Sequence, residues 1–328
     1  MSERAQDDTH TIGWQGLGLR VPTAWEPQSL SGTRSQGALQ LDDGEAIRLR
    51  CTWRELRRPP DLLAEAETYI SGLEKAARKK GIDFSVKRDI RFPLPGEQAS
   101  TCFLWRGEET AYASFIYCQE CRRLSGVYVF GRPGQGLERD AKQVLAHFRC
   151  HGEGGREDWS IFGLRAELPS TWELAKSELR AGQVTLQFLR GREELSLSRV
   201  ALARSVLRRQ KFVRWAEGFY RKPLGAFRWK GERTEYRGHI ALAIEGEERL
   251  RGPMGRLFGK ARQLRVRAWY CQELDKIYAV WYVGDDEAGV EEPSAQVACH
   301  ETQEEYLAER GGEAPAAEAA GGDQGGAG

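Results

Sequence analysis

Residues 117–120 read Tyr117-Cys118-Gln119-Glu120, and residues 270–273 repeat them letter for letter. Further along each copy, Cys150-His151 returns as Cys299-His300. Cysteine, tyrosine and histidine are uncommon residues, and their return in the same order indicates an internal duplication. The sequence therefore predicts one domain that occurs twice.

The duplication extends to the beginning of each copy. Trp14 precedes Pro22-Thr23-Ala24-Trp25-Glu26, and Trp159 precedes Pro169-Ser170-Thr171-Trp172-Glu173. This alignment matches Trp14 with Trp159 and Trp25 with Trp172. It predicts an N-terminal extension at 1–11, a first copy at 12–152, a second copy at 158–300 and an acidic, partly disordered Gly/Ala-rich tail at 301–328.

Hydrophobic periodicity predicts an α+β fold for each copy. In the first copy, alternation predicts strands near 16–21, 37–42, 46–53, 83–90, 99–106, 111–119 and 123–130. Between them, Pro59-Pro60-Asp61 begins a helix and Gly81 ends it. Its buried stripe is predicted to be Leu62, Ala66, Tyr69, Leu73 and Ala76. With a closing helix at 137–150 and a central helix at 203–221 in the second copy, we expect two tandem antiparallel sheets flanked by helices.

The order of these elements, with a Pro-x-x-Trp motif at Pro22–Trp25 after the first strand, resembles the PsbP-like α/β/α sandwich group. The resemblance implies a binding or assembly module and supplies no catalytic residue. The paired copies are also similar to uncharacterised archaeal duplicated proteins, a resemblance that implies no function.

Composition indicates the compartment. No stretch approaches 18 uninterrupted apolar residues, and the first eight residues hold no apolar run, so we expect a cytoplasmic protein without a membrane span. The sequence has no Asn and 2 Met, which is typical of thermophilic proteins because both residues degrade when hot. A thermophilic source matters for the cysteines, since hyperthermophiles are an exception to the rule against cytosolic disulfides.

Recognised catalytic motifs are missing from the sequence. It contains no His-Glu-x-x-His, no Gly-x-Ser-x-Gly and no Gly-x-Gly-x-x-Gly that opens a helix. Residues 255–261 imitate a phosphate-binding loop, but one residue too few separates Gly255 from Gly259, and Ala261 replaces the Ser or Thr that would hold magnesium. An enzyme is therefore the last of the function classes that the sequence supports.

The duplicated cysteines have three interpretations. A strand-end cysteine and a later cysteine recur as a pair, which predicts two equivalent disulfides, Cys118–Cys150 and Cys271–Cys299. Each bridge would close a loop of about 30 residues and stabilise by about 3–4 kcal/mol in the chain-entropy model. The alternative is a zinc site formed by Cys118, Cys121, Cys150 and His151, for which the second copy has Leu274 in place of Cys121. In the third interpretation the cysteines are buried thiols that only pack.

Charge is distributed unevenly along the chain. Residues 158–284 hold 25 basic and 14 acidic side chains, a balance of +11, whereas residues 285–328 hold 1 basic and 12 acidic, a balance of −11. Relative to the first copy, the second has an insertion rich in basic residues and free of acids from 249 to 267. Its predicted partner-binding residues are Arg249, Arg251, Arg256, Lys260, Arg262, Arg265 and Arg267. A basic loop of this kind suits an anionic partner, although a merely solvated loop gives the same pattern.

Together these observations predict a non-catalytic tandem-domain binding protein whose second copy contacts an anionic macromolecule: a nucleic acid, a ribonucleoprotein or an acidic protein. The alternatives are a scaffold stabilised by structural zinc or by disulfides, and an uncharacterised enzyme. No cofactor is predicted apart from zinc in the first alternative.

Overall fold

A computed structural model describes residues 9–96, 98–131, 136–250, 260–285 and 297–299. The first part of the chain contains β1 (Thr9–Trp14), β2 (Leu17–Pro22), β3 (Glu26–Gly32), β4 (Gln36–Asp42), β5 (Ile47–Glu55), α1 (Leu62–Lys80), β6 (Ser85–Ile90), β7 (Ala99–Arg106), β8 (Thr110–Tyr117), β9 (Arg123–Phe130) and α2 (Leu137–Ala146). The second part contains β10 (Arg156–Ile161), β11 (Leu164–Pro169), β12 (Glu173–Arg180), β13 (Gln183–Arg190), β14 (Glu193–Ala201), α3 (Ala203–Leu207), α4 (Phe212–Phe219), α5 (Arg221–Leu224), β15 (Phe227–Tyr236), β16 (His239–Glu248), β17 (Gln263–Cys271), β18 (Lys276–Gly284) and β19 (Val297–Ala298).

The predicted α+β fold class is wrong. The structure is mostly β, with 54% strand and 17% helix, and it has three large antiparallel sheets instead of two sheets flanked by helices. The first two sheets have seven strands each, in the orders β3-β4-β5-β9-β8-β7-β6 and β12-β13-β14-β18-β17-β16-β15. The third has five strands in the order β19-β11-β10-β1-β2. Successive strands joined by short turns satisfy their backbone hydrogen bonds as hairpins, so only the longer connections become helical.

The two seven-stranded sheets have the same strand order, with every strand number in the second raised by nine. In the first sheet, α1 connects β5 to β6; in the second, α3, α4 and α5 connect β14 to β15. Equivalent strands therefore carry equivalent residues, and β8 and β17 both end beside the repeated tetrapeptide.

The helix predicted after Pro59-Pro60-Asp61 is confirmed as α1. The Asp61 carboxylate accepts hydrogen bonds from the backbone N–H groups of Leu63 and Ala64, a cap that contributes about 1 kcal/mol. Gly81 ends the helix with φ 65°, a left-handed conformation that costs glycine little. Tyr69 packs on the aromatic face of the sheet, but the buried alanine of the last turns is Ala77 and not the predicted Ala76.

The single helix predicted at 203–221 is three short helices. Trp215 and Ala216 of α4 are buried, and Phe212 and Phe219 are partly buried against the same core. Residues 208–211 interrupt the helix, and Pro223 lies in α5. The connection is consequently a cap of short helices that exposes a large number of polar side chains.

The third sheet begins with two hairpins that the sequence analysis identified only in part. Gln15-Gly16 and Phe162-Gly163 form their turns, and all four residues have positive φ, as a two-residue hairpin turn of the I′ type requires. The turns are 147 positions apart (162 − 15), so Trp14 is equivalent to Ile161 rather than to Trp159 as predicted. At the same spacing, Trp25 and Trp172 are equivalent, in agreement with the sequence alignment.

Strands β1 and β10 pair antiparallel, with Gly13 opposite Ser160. A Cβ at Gly13 would lie 2.5 Å from the carbonyl oxygen of Asp158, so only glycine allows the two backbones to approach this closely. Next to this pair, the rings of Trp14 and Trp159 meet edge to face at 5.6 Å. Both tryptophans are buried.

Two compact units divide the chain. The first comprises the residues up to Arg180 together with Val184–Leu195, and the second comprises Ala181–Gln183 and the residues from Ser196 onward. In the part of the chain that the structure describes, no helix is both long and apolar enough to cross a membrane.

Candidate metal centres and a basic surface

The repeated tetrapeptide ends a strand in the same way in both units. In the first, the backbone N–H of Cys118 donates to the carbonyl of Arg123 at 3.1 Å and closes a tight turn. In the second, Cys271 is paired with Lys276 across the equivalent turn. Arg122 and Asp275, each four residues after its cysteine, have φ values of 53° and 52°. The two cysteines therefore lie at the same end of equivalent sheets.

In the first unit, this turn is part of a cluster of four metal-ligand side chains. The sulfurs of Cys118, Cys121 and Cys150 and an imidazole nitrogen of His151 all lie within 4.8 Å of one another. The Sγ atoms of Cys121 and Cys150 are 3.6 Å apart. Zinc–sulfur bonds of about 2.3 Å at tetrahedral angles separate two thiolates by about 3.8 Å, whereas a disulfide needs about 2.05 Å. We call these four residues the first centre.

All seven cysteines are free thiols in this structure, so neither predicted disulfide is formed. The predicted neighbours do meet: Cys118 lies beside Cys150, and Cys271 lies beside Cys299. The predicted pairs of cysteines are therefore neighbours, with donor atoms within 4.8 Å of each other.

A buried cation lies beside the first centre. Arg123 is 4% exposed, and its Nη1 donates to the backbone carbonyls of Gln15 at 2.9 Å and Cys150 at 2.8 Å. Burial lowers the pKa of Arg123, whereas the nearby Cys121, Glu157 and Cys150 raise it. This guanidinium fixes the segment that carries Cys150 and supplies a positive charge next to the thiols.

Thiolate character is unequal within the first centre. The hydrogen bond with Cys150 lowers the pKa of Cys121 to about 6, against the effect of burial. The same hydrogen bond, together with burial, raises the pKa of Cys150. The thiolate is the form of cysteine that binds metal, so one ligand of the set is deprotonated near neutral pH even before a metal arrives.

The imidazole of His151 is oriented for ligation. Its Nδ1 donates to the carbonyl of Gly152 at 3.0 Å, since a carbonyl can only accept. This leaves the lone pair of the neutral ring on Nε2, which lies 3.4 Å from a carboxylate oxygen of Glu120. Nε2 is therefore the ring nitrogen that can bind a metal ion.

The second unit contains a related cluster that the sequence analysis missed in part. His239, Cys271 and Cys299 bring their donor atoms within 4.8 Å of one another, and we call them the second centre. Nε2 of His239 lies 3.4 Å from Sγ of Cys299. His239 was not identified because it lies 32 residues before Cys271, and no short motif spans that distance.

Strand register explains how His239 reaches the second centre. Ile240 pairs with Tyr270, so His239 at the start of β16 stands opposite Cys271. In the first unit, Ala99 pairs with Tyr117, which gives the equivalent place to Gln98. A signal was present in the sequence: the second copy loses Cys121 to Leu274 and gains a histidine in place of Gln98.

Thiolate character is unequal in the second centre as well. The hydrogen bond with Cys271 lowers the pKa of Cys299 to about 4, and His239 contributes in the same direction, while burial opposes both. The hydrogen bond with Cys299 and burial raise the pKa of Cys271. His239 is 3% exposed, so this centre is largely removed from solvent.

Most of the predicted partner-binding residues that the structure describes already have partners within their own sheet. Arg262 makes a two-pronged ion pair with Glu248 at 3.0 and 3.1 Å, and Arg265 pairs with Glu245 at 2.9 Å. Arg267 lies over the ring of Tyr236 at 4.8 Å. Arg249 is exposed but donates through Nε to the carbonyl of Phe227, and Lys260 is exposed. Arg251 and Arg256 lie outside the described residues.

A stronger concentration of exposed positive charge lies on α3 to α5 and the turn between them. Arg204 of α3 pairs with Asp275. The other exposed bases of this segment form no ion pair with any residue that the structure describes, and 203–224 contains a single acid, Glu217. We call this set the basic surface: Arg208, Arg209, Lys211, Arg214, Arg221 and Lys222. In the first unit, α1 at the equivalent place holds three acids and four bases.

No protein-family model matches this chain, and no curated protein does. Among solved structures, it matches a chain of the crystal structure of MucB in complex with MucA(peri) at 11% identity, over 86% of this chain and 81% of that chain. The TM-score is 0.18, so this likeness carries no argument about fold or function.

Proposed function

We propose that this chain is a non-catalytic binding protein whose first unit is stabilised by one zinc ion held by Cys118, Cys121, Cys150 and His151. The observation that carries the proposal is the convergence of three sulfurs and one imidazole within 4.8 Å. Four protein donors of these types are typical of structural zinc sites, which leave no position for substrate. The proposal includes a cytoplasmic location, where thiols stay reduced.

Tetrahedral thiolate sites also suit iron, but the imidazole in the donor set favours zinc among the common metals. Three thiolates around Zn²⁺ give a net charge of −1, which the guanidinium of Arg123 balances. Two carbonyls hold this guanidinium in place, and a buried charge of this kind needs a compensating partner.

The test is elemental analysis after purification without chelators, combined with titration of free thiols in the unfolded protein. We expect one zinc in the first centre, and its loss in Cys118→Ser. Cys102→Ala is the matched control, because Cys102 is a buried thiol outside both centres. A metal-free protein whose Cys118 and Cys150 are oxidised to a disulfide would establish the alternative scaffold.

A second candidate function is the binding of a nucleic-acid backbone by the basic surface. Six exposed cations with one acid in the same segment favour an anionic partner. Phosphates attract such surfaces without requiring a pocket. Compared with the loop residues named in the sequence analysis, this surface is supported better, since Arg262, Arg265 and Arg267 are engaged in their own sheet.

Fluorescence anisotropy with a labelled single-stranded RNA at several salt concentrations tests this candidate. Reversing Arg208, Arg209, Arg214 and Lys222 to Glu should abolish binding and leave the melting temperature nearly unchanged. The matched control reverses Lys75, Arg78, Lys79 and Lys80, the four bases of α1. Equal loss in both variants would mean that only net charge matters, and binding that survives the first variant would refute the basic surface as the site.

A further inference from the structure

The second centre has the chemistry of a metal site in its own right. Three donors from separate parts of the sequence, His239, Cys271 and Cys299, converge within 4.8 Å at the end of one sheet. His239 and Cys271 are 3% and 0% exposed. Two thiols and an imidazole are donor types that zinc prefers in proteins.

The comparison with the first centre shows that one donor was exchanged for another. Leu274 holds the position of Cys121, so the turn contributes no third sulfur. His239 holds the position of Gln98, whose own side chain bonds to the carbonyl of Pro95. A donor lost from the turn is thus matched by a donor gained on the adjacent strand, which is unexpected if the cluster served packing alone.

The repeated glutamate supports the same interpretation. Glu120 faces Nε2 of His151 at 3.4 Å, and Glu273 faces Nδ1 of His239 at 4.0 Å. The two imidazoles come from different elements, yet each meets the glutamate of its own tetrapeptide. In the second centre this glutamate lies next to the ring nitrogen opposite the metal, a position from which a carboxylate orients ligand histidines in many sites. In the second centre, Nε2 points to the sulfur of Cys299 and Nδ1 to Glu273.

We propose that His239, Cys271 and Cys299 form a second zinc site, so that the chain binds two zinc ions, one in each unit. The proposal rests on the zinc chemistry proposed for the first unit but not on occupancy of the first centre. Two thiolates and a neutral imidazole balance Zn²⁺ without a net charge. This site therefore needs no buried cation, and the residue equivalent to Arg123 is Lys276, which is only half-buried.

The experiment measures zinc per chain in the intact protein by plasma mass spectrometry, after dialysis against zinc and removal of the excess. We expect two zinc ions in the wild type, one in His239→Gln and one in Cys118→Ser. His239→Gln places in the second unit the residue that the first unit has at the same register. His147→Gln is the matched control, because His147 is an exposed histidine outside both centres, and it should keep two ions.

The outcomes separate the two sites. One ion in the wild type that is lost in Cys118→Ser but kept in His239→Gln overturns the second site and leaves the first. One ion that is lost only in His239→Gln supports the second site and overturns the first. A wild type without zinc, in which Cys271 and Cys299 form a disulfide, overturns the second site as well.

A further variant covers the case in which His239→Gln does not fold. His239→Cys keeps a ligand at the same place, and we expect two ions again. Loading this variant with cobalt should give a stronger sulfur-to-metal charge-transfer band than wild type, because a third thiolate joins the centre. Two ions with an unchanged band would exclude His239 as a ligand and overturn the proposal.

Discussion

The two centres share their duplicated cysteines but complete the donor set differently. The first takes Cys121 from the turn and His151 from the segment after Cys150; the second takes His239 from the neighbouring strand. The cysteine at the end of the strand is fixed by a turn that both units build in the same way. The remaining donors are less constrained, because any element that the register brings opposite the cysteine can provide one. The two centres therefore share the strand-end cysteine and its turn, whereas the residues that complete the donor set differ.

The two centres also differ in the charged residue that lies beside their thiols. The first centre has three thiols beside the buried Arg123, and the second has two thiols beside the half-buried Lys276. The centre with the third thiol is thus the one with the buried cation. We expect the first centre to hold metal more tightly and to contribute more to stability.

Removing the metal should produce the largest difference between the centres. At free zinc a thousandfold above the dissociation constant, binding stabilises by about 4 kcal/mol. For a unit of this size, that corresponds to a melting temperature lower by about 10 °C after chelation. Calorimetry should show this loss in the wild type and in His239→Gln, which keeps the first centre. An equally large loss in Cys118→Ser would contradict the greater role of the first centre.

Replacing Arg123 should destabilise by a smaller amount. Arg123→Met leaves the carbonyls of Gln15 and Cys150 without their donor, and unsatisfied buried acceptors cost about 1–3 kcal/mol. Chemical unfolding of the zinc-loaded protein measures this change. Lys276→Met is the control at the equivalent position and should cost less than Arg123→Met, because Lys276 is only half-buried. Equal costs would mean that the two cations play the same part.

Leu274→Cys should make the second centre resemble the first. A cysteine at this position adds a thiolate three residues after Cys271, at the spacing of Cys118 and Cys121. We expect at least a tenfold gain in zinc affinity, about 1.4 kcal/mol, measured by competition with a coloured chelator. Leu274→Ser tests the effect of removing an exposed leucine and should leave affinity unchanged. A gain in both variants would show that the new sulfur does not bind.

The smallest expected effect concerns the basic surface, which has no counterpart in the balanced helix α1. Lys222→Gln should lower the slope of log affinity for RNA against log salt by about 0.7, the value for one phosphate contact on a single strand. Lys79→Gln on α1 should leave the slope unchanged. An equal decrease of the salt-dependence slope in both variants would mean that α1 and the basic surface contribute equally to RNA binding.

The sequence was sufficient to predict the internal duplication and those local elements whose ends are marked by single residues. Asp61 and Gly81 mark the two ends of α1 in the sequence, because a cap and a left-handed stop depend on single residues. The fold class could not be obtained this way. The first strand of each copy, β1 or β10, pairs with that of the other copy across 147 residues. Neither Gly13 nor Ser160 indicates this long-range pairing in the sequence.

The same limit applies to the candidate sites. Cys118, Cys150, Cys271 and Cys299 were paired correctly because rare residues return in the same order. His239 was missed because its role depends on strand register, and only the alignment of Ile240 with Tyr270 reveals it. The loop arginines were chosen by charge alone, and strand pairing later placed Glu248 and Glu245 beside two of them. The resemblance to the PsbP-like group stays a prediction.

The ladder between β1 and β10 is self-complementary. Gly13 and Ser160 are equivalent by their distance from the two hairpin turns, and they face each other. Two identical hairpins related by a two-fold axis would form the same ladder, which is the geometry of an isologous dimer. Two separate copies of this domain would form the contact between chains, whereas the duplicated chain forms it within one. Within one chain the two halves need not be identical, as the different third ligands of the two centres illustrate.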